Sequence, residues 1–178
     1  MDGILVFYKF EKVLRKAIHS YKYKFRKEVG IELSEIFRKN FLETDINFLE
    51  KIFVVPVPLH KNRFSWRGFN QSENFAKSIS FNAWNVDLSS IQQEKFLFAD
   101  VLERTKDTRP QVGLEKLERM ENIKNAFGIK KDFEDFVKGK SFLLVDDIVT
   151  TGSTLKECAK VLKNSGAKSV FAVTLCLA

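Results

Sequence analysis

Residues 142–154 read Phe-Leu-Leu-Val-Asp-Asp-Ile-Val-Thr-Thr-Gly-Ser-Thr, and they are the most informative segment of the chain. Its leading apolar residues predict a buried strand, with the carboxylates Asp146 and Asp147 at the strand tip. A tight loop of hydroxyl-bearing residues around Gly152 then opens a helix. Glycine lets backbone N–H groups crowd an anion at the positive end of a helix, and carboxylates accept hydrogen bonds from a sugar diol. The stretch therefore predicts a loop that holds a sugar phosphate.

Three other interpretations of this stretch fit less well. An ordinary strand-to-helix turn, with Thr154 and Glu157 as a capping box, does not explain two adjacent acids at the strand tip. A P-loop requires a lysine after its last glycine, where this chain has Ser153. A receiver domain carries its acidic pair near the N-terminus, whereas this pair lies near the C-terminus. The sugar-phosphate loop accounts for the acids, the glycine and the hydroxyls together.

Length and composition indicate one globular domain. The chain has 178 residues, of which 44% are hydrophobic and 30% charged, enough for a sizeable core without pervasive disorder. No apolar run approaches the roughly 20 residues of a membrane span and no signal peptide is evident, so we expect a cytoplasmic protein. Cys158 and Cys176 lie far apart and form no C-x-x-C pair, so we expect no zinc in this chain. The helical spacing of Cys158 with apolar residues predicts a core position.

Strands and helices alternate along the chain. We predict strands at 4–10, 52–57, 96–102, 140–145 and 169–176, and helices near 11–21, 28–41, 70–82, 113–123 and 153–164, the last ending at Gly166. Such alternation predicts an α/β fold with a mainly parallel central sheet and helices on both faces. Ligands of such sheets bind at the carboxyl ends of the strands.

Two further segments carry candidate ligand-binding residues. Residues 54–72 leave a predicted strand, are stiffened by two prolines, and present Lys61, Arg63 and Arg67 ahead of a glycine. Such a loop can offer cations and backbone donors to a pyrophosphate, and His60 within it is a modest ligand candidate. Residues 102–111 form a charged segment that, by itself, reads as an exposed loop. We interpret His19, beside the apolar face of a helix, as structural.

The formal net charge of +7 is concentrated early in the chain. Basic residues there interleave with aromatic ones: Lys9, Lys12, Arg15, Lys16, Lys22, Lys24, Arg26 and Lys27 with Tyr8, Phe10, Tyr21, Tyr23 and Phe25. This pattern suits single-stranded nucleic acid, through phosphate contacts and base stacking. A pair of amphipathic helices with a solvated basic face explains the same residues more simply, with Val13, Leu14, Ala17, Ile18 and Tyr21 forming one apolar face.

Residues 142–154 resemble the 5-phosphoribosyl-1-pyrophosphate (PRPP) motif of type I phosphoribosyltransferases. The two other segments resemble the ComF family of bacterial competence proteins, through Pro-Val-Pro-Leu (56–59), Arg-Gly-Phe-Asn-Gln (67–71), and a pattern of Arg104, Thr108 and Gln111 followed by Arg119, Asn122 and Phe127. The resemblance covers nearly the whole chain. It implies a type I phosphoribosyltransferase-like α/β fold as a single domain, residues 1–178, with an N-terminal strand and helix hood over 1–45 and a core over 46–178.

The resemblance also implies roles for individual residues. It assigns the 5-phosphate of PRPP to Thr150, Thr151, Gly152, Ser153 and Thr154, and the pyrophosphate to Pro58, Leu59, His60, Lys61 and Arg67. It implies catalytic roles for Asp146, Asp147 and Arg104, and a mobile flap containing Thr108 and Gln111. It implies no direct metal ligand, because magnesium would enter with PRPP, with Asp146 and Asp147 helping to place it.

The implied function is transfer of a phosphoribosyl group with release of pyrophosphate, in a protein that acts in DNA uptake during natural transformation. The implied partners are PRPP, single-stranded DNA and competence proteins of the helicase or recombination-mediator kind. A non-catalytic module that senses PRPP or binds single-stranded DNA is the alternative. ComF proteins commonly begin with a cysteine-rich zinc module, which this sequence does not contain. The acceptor and the oligomeric state stay open.

Overall fold

A computed structural model of the chain describes residues 1–44, 51–80, 95–108 and 116–178. The strands in these ranges are β1 (Gly3–Lys9), β2 (Ile52–Pro56), β3 (Phe96–Phe98), β4 (Leu102–Arg104), β5 (Phe127–Ile129), β6 (Ser141–Val149) and β7 (Ser169–Leu177). The helices are α1 (Lys12–Lys24), α2 (Lys27–Leu42), α3 (Lys61–Arg67), α4 (Gln71–Ser78), α5 (Lys116–Ile123), α6 (Glu134–Val137) and α7 (Ser153–Asn164).

Five strands form one parallel sheet in the order β1-β7-β6-β2-β3. The central strand β6 is apolar on both faces, because helices cover both sides of the sheet. All five strands end at the same edge, which places the segments that follow β2 and β6 side by side. The predicted α/β fold with a mainly parallel sheet is confirmed, and the sheet edge where we expected the ligand carries both proposed loops.

Alternating side chains of β6 feed two cores. Phe142 and Leu144 pack with α7, whose buried face includes Cys158, whereas Leu143 and Val145 pack beneath α1, α2 and α4. On that second side the rings of Phe37 and Phe75 stack with centroids 5.0 Å apart. Burial of each such side chain contributes about 1.5–3 kcal/mol, so the two layers hold the sheet from both sides. The core position predicted for Cys158 is confirmed.

Helix α7 follows the boundaries predicted from sequence because its end carries a strong local signal. Gly166 has φ of +90° and donates its N–H to the carbonyl of Lys163 at 3.0 Å, while Ala167 donates to Leu162 at 3.1 Å. This pair of hydrogen bonds is the Schellman arrangement that glycine permits at a helix end.

Four expectations need correction. The single strand predicted over 96–102 is two short strands, because β3 extends the main sheet while β4 pairs antiparallel with β5 in a separate sheet. The strand predicted to stop at residue 145 continues through both acids to Val149, because β7 extends alongside it and pairs with it. Residues 61–67, taken as loop, form helix α3. Val13, assigned to the apolar face of α1, is 79% exposed.

The N-terminal elements share the sheet and its core. Strand β1 pairs with β7, and α2 packs against α4 on one face of the sheet. The division into a hood over 1–45 and a core over 46–178 stays a prediction. Within the described ranges, no helix has the length and apolar character that crossing a membrane requires.

Candidate phosphoribosyl site

The acidic pair lies in the second half of β6, where the strand nears the ligand-binding edge. Asp146 is partly buried, and its Oδ1 accepts a hydrogen bond from the Ser72 hydroxyl at 2.8 Å and from the Asp147 backbone N–H at 2.9 Å. Asp147 is buried, and its Oδ1 accepts from the backbone N–H of Ile148 at 2.9 Å. Ser72 lies in the first turn of helix α4, so the second sequence segment contributes a direct hydrogen bond to the acidic pair.

Asp146 titrates in the physiological range. Burial raises its pKa, the neighbouring negative charge of Asp147 raises it further, and the result is about 7. The ammonium of Lys22 and the two hydrogen bonds to Oδ1 act in the opposite direction but do not cancel these effects. A pair of acids in which one titrates near neutrality is a common property of functional sites. Near pH 7, Asp146 therefore exchanges readily between a protonated and an ionised form.

Lys22 supplies the counter-charge of Asp147. Its ammonium forms an ion pair with Asp147 Oδ2, and the Lys22 side chain is only 17% exposed. Lys22 therefore does not belong to the solvated basic face on which the sequence analysis placed it. The helical spacing put Lys22 off the apolar face of α1, but a distant strand supplies a carboxylate there.

The hydroxyl loop joins the acids to α7. Gly152 has φ of +72°, a left-handed conformation that glycine adopts without strain, and it caps the helix. Thr151 Oγ1 accepts from the backbone N–H of Ser153 at 3.3 Å and lies 2.9 Å from Ser153 Oγ. The loop directly precedes the 12-residue helix α7, so it faces the positive N-terminal end of that helix. The capping box considered for Thr154 and Glu157 does not cap α7. The N-cap residue is Gly152, and Glu157 instead accepts a hydrogen bond from the Asn125 N–H at 2.8 Å.

The segment after β2 turns directly into α3. Pro58 and His60 are buried, Leu59 is partly buried and Lys61 is exposed. His60 caps α3, because its Nδ1 accepts the backbone N–H of Asn62 at 3.3 Å. His60 thus helps to position this segment, and its role as a ligand residue stays a prediction.

Arg67 lies at the end of α3 and turns back toward the acids. Its Nη1 donates to Gln71 Oε1 at 2.5 Å, and its guanidinium lies 5.8 Å from the centre of the Tyr23 ring. Its Nε is buried and has no hydrogen-bond partner among the described residues. Burial lowers the pKa of Arg67, while the charge of Asp147 opposes that effect. Arg67 is thus a partly buried cation with donors to spare, electrostatically coupled to the acidic pair.

The start of the predicted flap is tied to α3. Arg104 Nη2 donates to the Thr108 hydroxyl, and Arg63 Nη2 donates to the Thr108 carbonyl at 2.7 Å. Asp107 accepts from the Asn62 amide at 2.6 Å. The Arg104 guanidinium lies 5.3 Å from the centre of the Phe127 ring, and burial lowers its pKa. Its Nε has no hydrogen-bond partner in the part of the chain that the structure describes. Gln111, the other flap residue, lies outside the described residues.

A cleft of about 590 Å³ opens beside these segments. Its lining includes Pro58, Leu59, His60 and Lys61 from the second segment and Arg104 from the third. Asp146, Asp147 and the hydroxyl loop are not part of its lining. The structure therefore brings Pro58–Lys61 and Arg104 around one cleft, and the acids and the phosphate loop around the adjacent end of β6. Arg67, the remaining predicted pyrophosphate residue, instead lines a second cleft of about 710 Å³ together with Tyr21.

The residues present fit magnesium only in combination with a ligand. Two adjacent carboxylates are the hard oxygen donors that Mg²⁺ prefers, but one oxygen of Asp147 is paired with Lys22 and one of Asp146 with Ser72. Among the described residues, no group of three or more His, Cys, Asp or Glu side chains could hold a metal ion. Phosphate and hydroxyl oxygens of a substrate would therefore have to supply most of the coordination.

Sequence reasoning missed three residues of this arrangement. Asn70 caps α4 through its side chain, which accepts from Ser72 N–H at 3.1 Å and donates to the carbonyl of Val57 at 3.0 Å. Its position ahead of a helix was a local signal for that cap. Ser72 and Lys22 meet the acids only through tertiary contacts, so no sequence spacing could have indicated them.

The comparisons with known proteins agree with this geometry. Residues 84–178 match the model of the phosphoribosyl transferase domain. The chain is 33% identical to "Competence protein F" of Haemophilus influenzae over 117 residues, covering 66% of this chain and 46% of that protein. It is 32% identical to "DNA utilization protein YhgH" of Escherichia coli over 170 residues, 92% of this chain and 66% of that protein. It is 28% identical to "Competence protein ComFC" of Streptococcus pneumoniae over 141 residues, 76% of this chain and 53% of that protein.

The fold, the acidic pair and the hydroxyl loop thus define a phosphoribosyltransferase-type domain. The chain belongs to the ComF family within that class. It spans less than two thirds of the length of these curated relatives.

Proposed function

We propose that the chain binds PRPP together with Mg²⁺ and transfers its phosphoribosyl group to an acceptor, with release of pyrophosphate. The observation that carries the proposal is the arrangement at the end of β6, where two carboxylates adjoin a loop of hydroxyls at the positive end of α7. We further propose a role in DNA uptake, because relatives are named for competence and DNA utilization.

In this proposal the 5-phosphate lies in the loop 150–154. Backbone N–H groups at the start of α7 and the hydroxyls of Thr150, Thr151, Ser153 and Thr154 hold it. Asp146 and Asp147 accept hydrogen bonds from the ribose hydroxyls, and Asp146 does so in its ionised form. The segment Pro58–Lys61 and the guanidinium of Arg67 hold the pyrophosphate on the adjacent strand end.

The chemistry requires positioning and charge neutralisation rather than a protein nucleophile. Displacement of pyrophosphate at the ribose C1 passes through an oxocarbenium-like state, as in glycoside hydrolysis. Mg²⁺ would neutralise the pyrophosphate and help it leave. The chain supplies fixed cations around the leaving group, foremost Arg67, with Arg104 lining the cleft beside it, and fixed carboxylates beneath the ribose.

A matched pair of glycine variants tests the phosphate loop. Gly152 and Gly139 have φ of +72° and +70°, and an added Cβ at either meets no atom closer than 3.8 Å. Gly152→Ala and Gly139→Ala should therefore cost similar stability, about 1 kcal/mol, from the left-handed backbone alone. Only Gly152→Ala should weaken PRPP binding, measured by calorimetry. Equal PRPP affinities in the two variants would contradict the proposed loop. Pyrophosphate release upon addition of candidate acceptors then tests turnover.

A second function, binding of single-stranded DNA, is favoured by one surface. Tyr23, Phe25 and Trp66 are 43%, 41% and 58% exposed and form a cluster, with the Trp66 ring centre 5.1 Å from that of Phe25 and 6.2 Å from that of Tyr23. Lys24 and Arg26 are exposed in the same segment. Exposed aromatic rings beside cations are the elements on which unpaired bases stack.

The test of this second function is a variant at the centre of the cluster. Trp66→Ala should lower affinity for single-stranded DNA by about 1–3 kcal/mol if one base stacks there. Val13→Ala is the control, because Val13 is 79% exposed but lies at the opposite end of α1. Equal losses in both variants, or an affinity that does not fall with added salt, would refute the proposed surface.

A further inference from the structure

Lys22 makes a contact that the proposed reaction does not explain. It projects from the last turn of α1, and its ammonium pairs with Asp147 Oδ2, although the two residues come from opposite ends of the chain. The side chains of Lys22 and Asp147 are 17% and 5% exposed, so water screens the pair poorly. Lys24, two residues on, is exposed.

The pair uses the oxygen that a ribose diol would need. Asp147 Oδ1 already accepts from the Ile148 N–H at 2.9 Å, and Oδ2 faces Lys22. Tyr21 and Arg67 also interact electrostatically with Asp147. With so little of Asp147 exposed, a diol that approaches this carboxylate meets the ammonium group first.

We propose that Lys22 is an intramolecular competitor for Asp147, which neutralises the carboxylate until the sugar phosphate displaces it. This inference rests on the proposed function, because it assigns the ribose hydroxyls to Asp147. Displacement moves the ammonium away from β6 and releases the last turn of α1 from its anchor. Ligand binding at the sheet edge is thereby coupled to the N-terminal helices, through one ion pair.

The experiment compares Lys22→Gln with Lys24→Gln, which removes the same charge from an exposed position in the same helical turn. Calorimetric titration with PRPP and Mg²⁺ should show about tenfold tighter binding to Lys22→Gln than to the wild type. Lys24→Gln should bind as the wild type does. Amide hydrogen exchange over residues 20–25 should increase when PRPP binds the wild type. An unchanged or weaker affinity in Lys22→Gln overturns the inference, and weaker binding would assign Lys22 to the ligand phosphates instead.

Two further arms keep the test decisive. If Lys22→Gln does not fold, Lys22→Arg is measured in its place. A guanidinium can donate two hydrogen bonds to a carboxylate, so the ion pair with Asp147 should be stronger and PRPP binding several-fold weaker. Unchanged binding by Lys22→Arg overturns the inference. If the folded wild type binds no PRPP, the proposed function is wrong. Titration with Mg²⁺ alone then tests separately whether Lys22 competes for Asp147. Tighter Mg²⁺ binding by Lys22→Gln than by Lys24→Gln supports the competitor, and equal binding refutes it.

Discussion

Asp146 should make the protein less stable as the pH rises from 5 to 8. Burial and the charge of Asp147 raise its pKa from 3.8 to about 7, so between these two values the native state holds a proton that the unfolded chain has lost, and the loss of stability levels off above about pH 7. Each pH unit between the two pKa values is worth about 1.4 kcal/mol. For a carboxyl that is only partly buried, we expect a loss of about 2 kcal/mol between pH 5 and pH 8.

The assay is urea unfolding of the wild type, Asp146→Asn and Asp135→Asn across this window. Asparagine cannot ionise, so Asp146→Asn should lose the downward slope, and its stability relative to the wild type should increase with pH. Asp135 is the control, because its partner Lys138 lowers its pKa and its titration lies below the window. A wild-type slope that persists in Asp146→Asn would refute the assignment of the raised pKa to this carboxyl.

Two smaller perturbations test the packing around the site. Ser72→Ala removes the 2.8 Å hydrogen bond to Asp146 and should lower the free energy of unfolding, measured in urea, by about 1 kcal/mol. The same variant should raise the pKa of Asp146 in a carboxyl NMR titration, and an unchanged pKa would contradict the contact. Gly30→Ala would place a Cβ 2.3 Å from the Tyr21 ring and should lower the free energy of unfolding by about 2 kcal/mol. In Gly128→Ala the new Cβ meets no atom closer than 3.7 Å, so the loss should be far smaller. Equal losses in the two variants would contradict the close approach of α1 and α2.

The elements that the sequence predicted well are those with local signals. Strand β6 is marked by consecutive apolar residues, and α7 by an apolar stripe that ends at Gly166, so both were located correctly at one or both ends. The division of 96–102 into β3 and β4 depends on which partner each strand meets, β2 in one case and β5 in the other. No local pattern contains that information. In α3 the charged residues resembled those of an exposed loop, so the helix was not predicted.

The residues of the candidate site also separate into those with a local sequence signal and those without one. The hydroxyl loop and the acids are contiguous in the sequence, and the structure keeps them together at one end of β6. The partners that set their electrostatics come from elsewhere, Lys22 from α1 and Ser72 from α4. Lys22 in particular looked like one basic residue among many, because only the tertiary structure brings Asp147 to it.

Titration of PRPP with Mg²⁺ into the wild type and into the double variant Asp146→Asn/Asp147→Asn asks whether the acidic pair holds the ribose of PRPP. We predict saturable binding with one site per chain in the wild type, and its loss in a double variant that unfolds cooperatively. Binding that survives in the folded double variant would show that the acidic pair does not hold the ribose. A folded wild type that binds no PRPP would contradict the sugar-phosphate site itself.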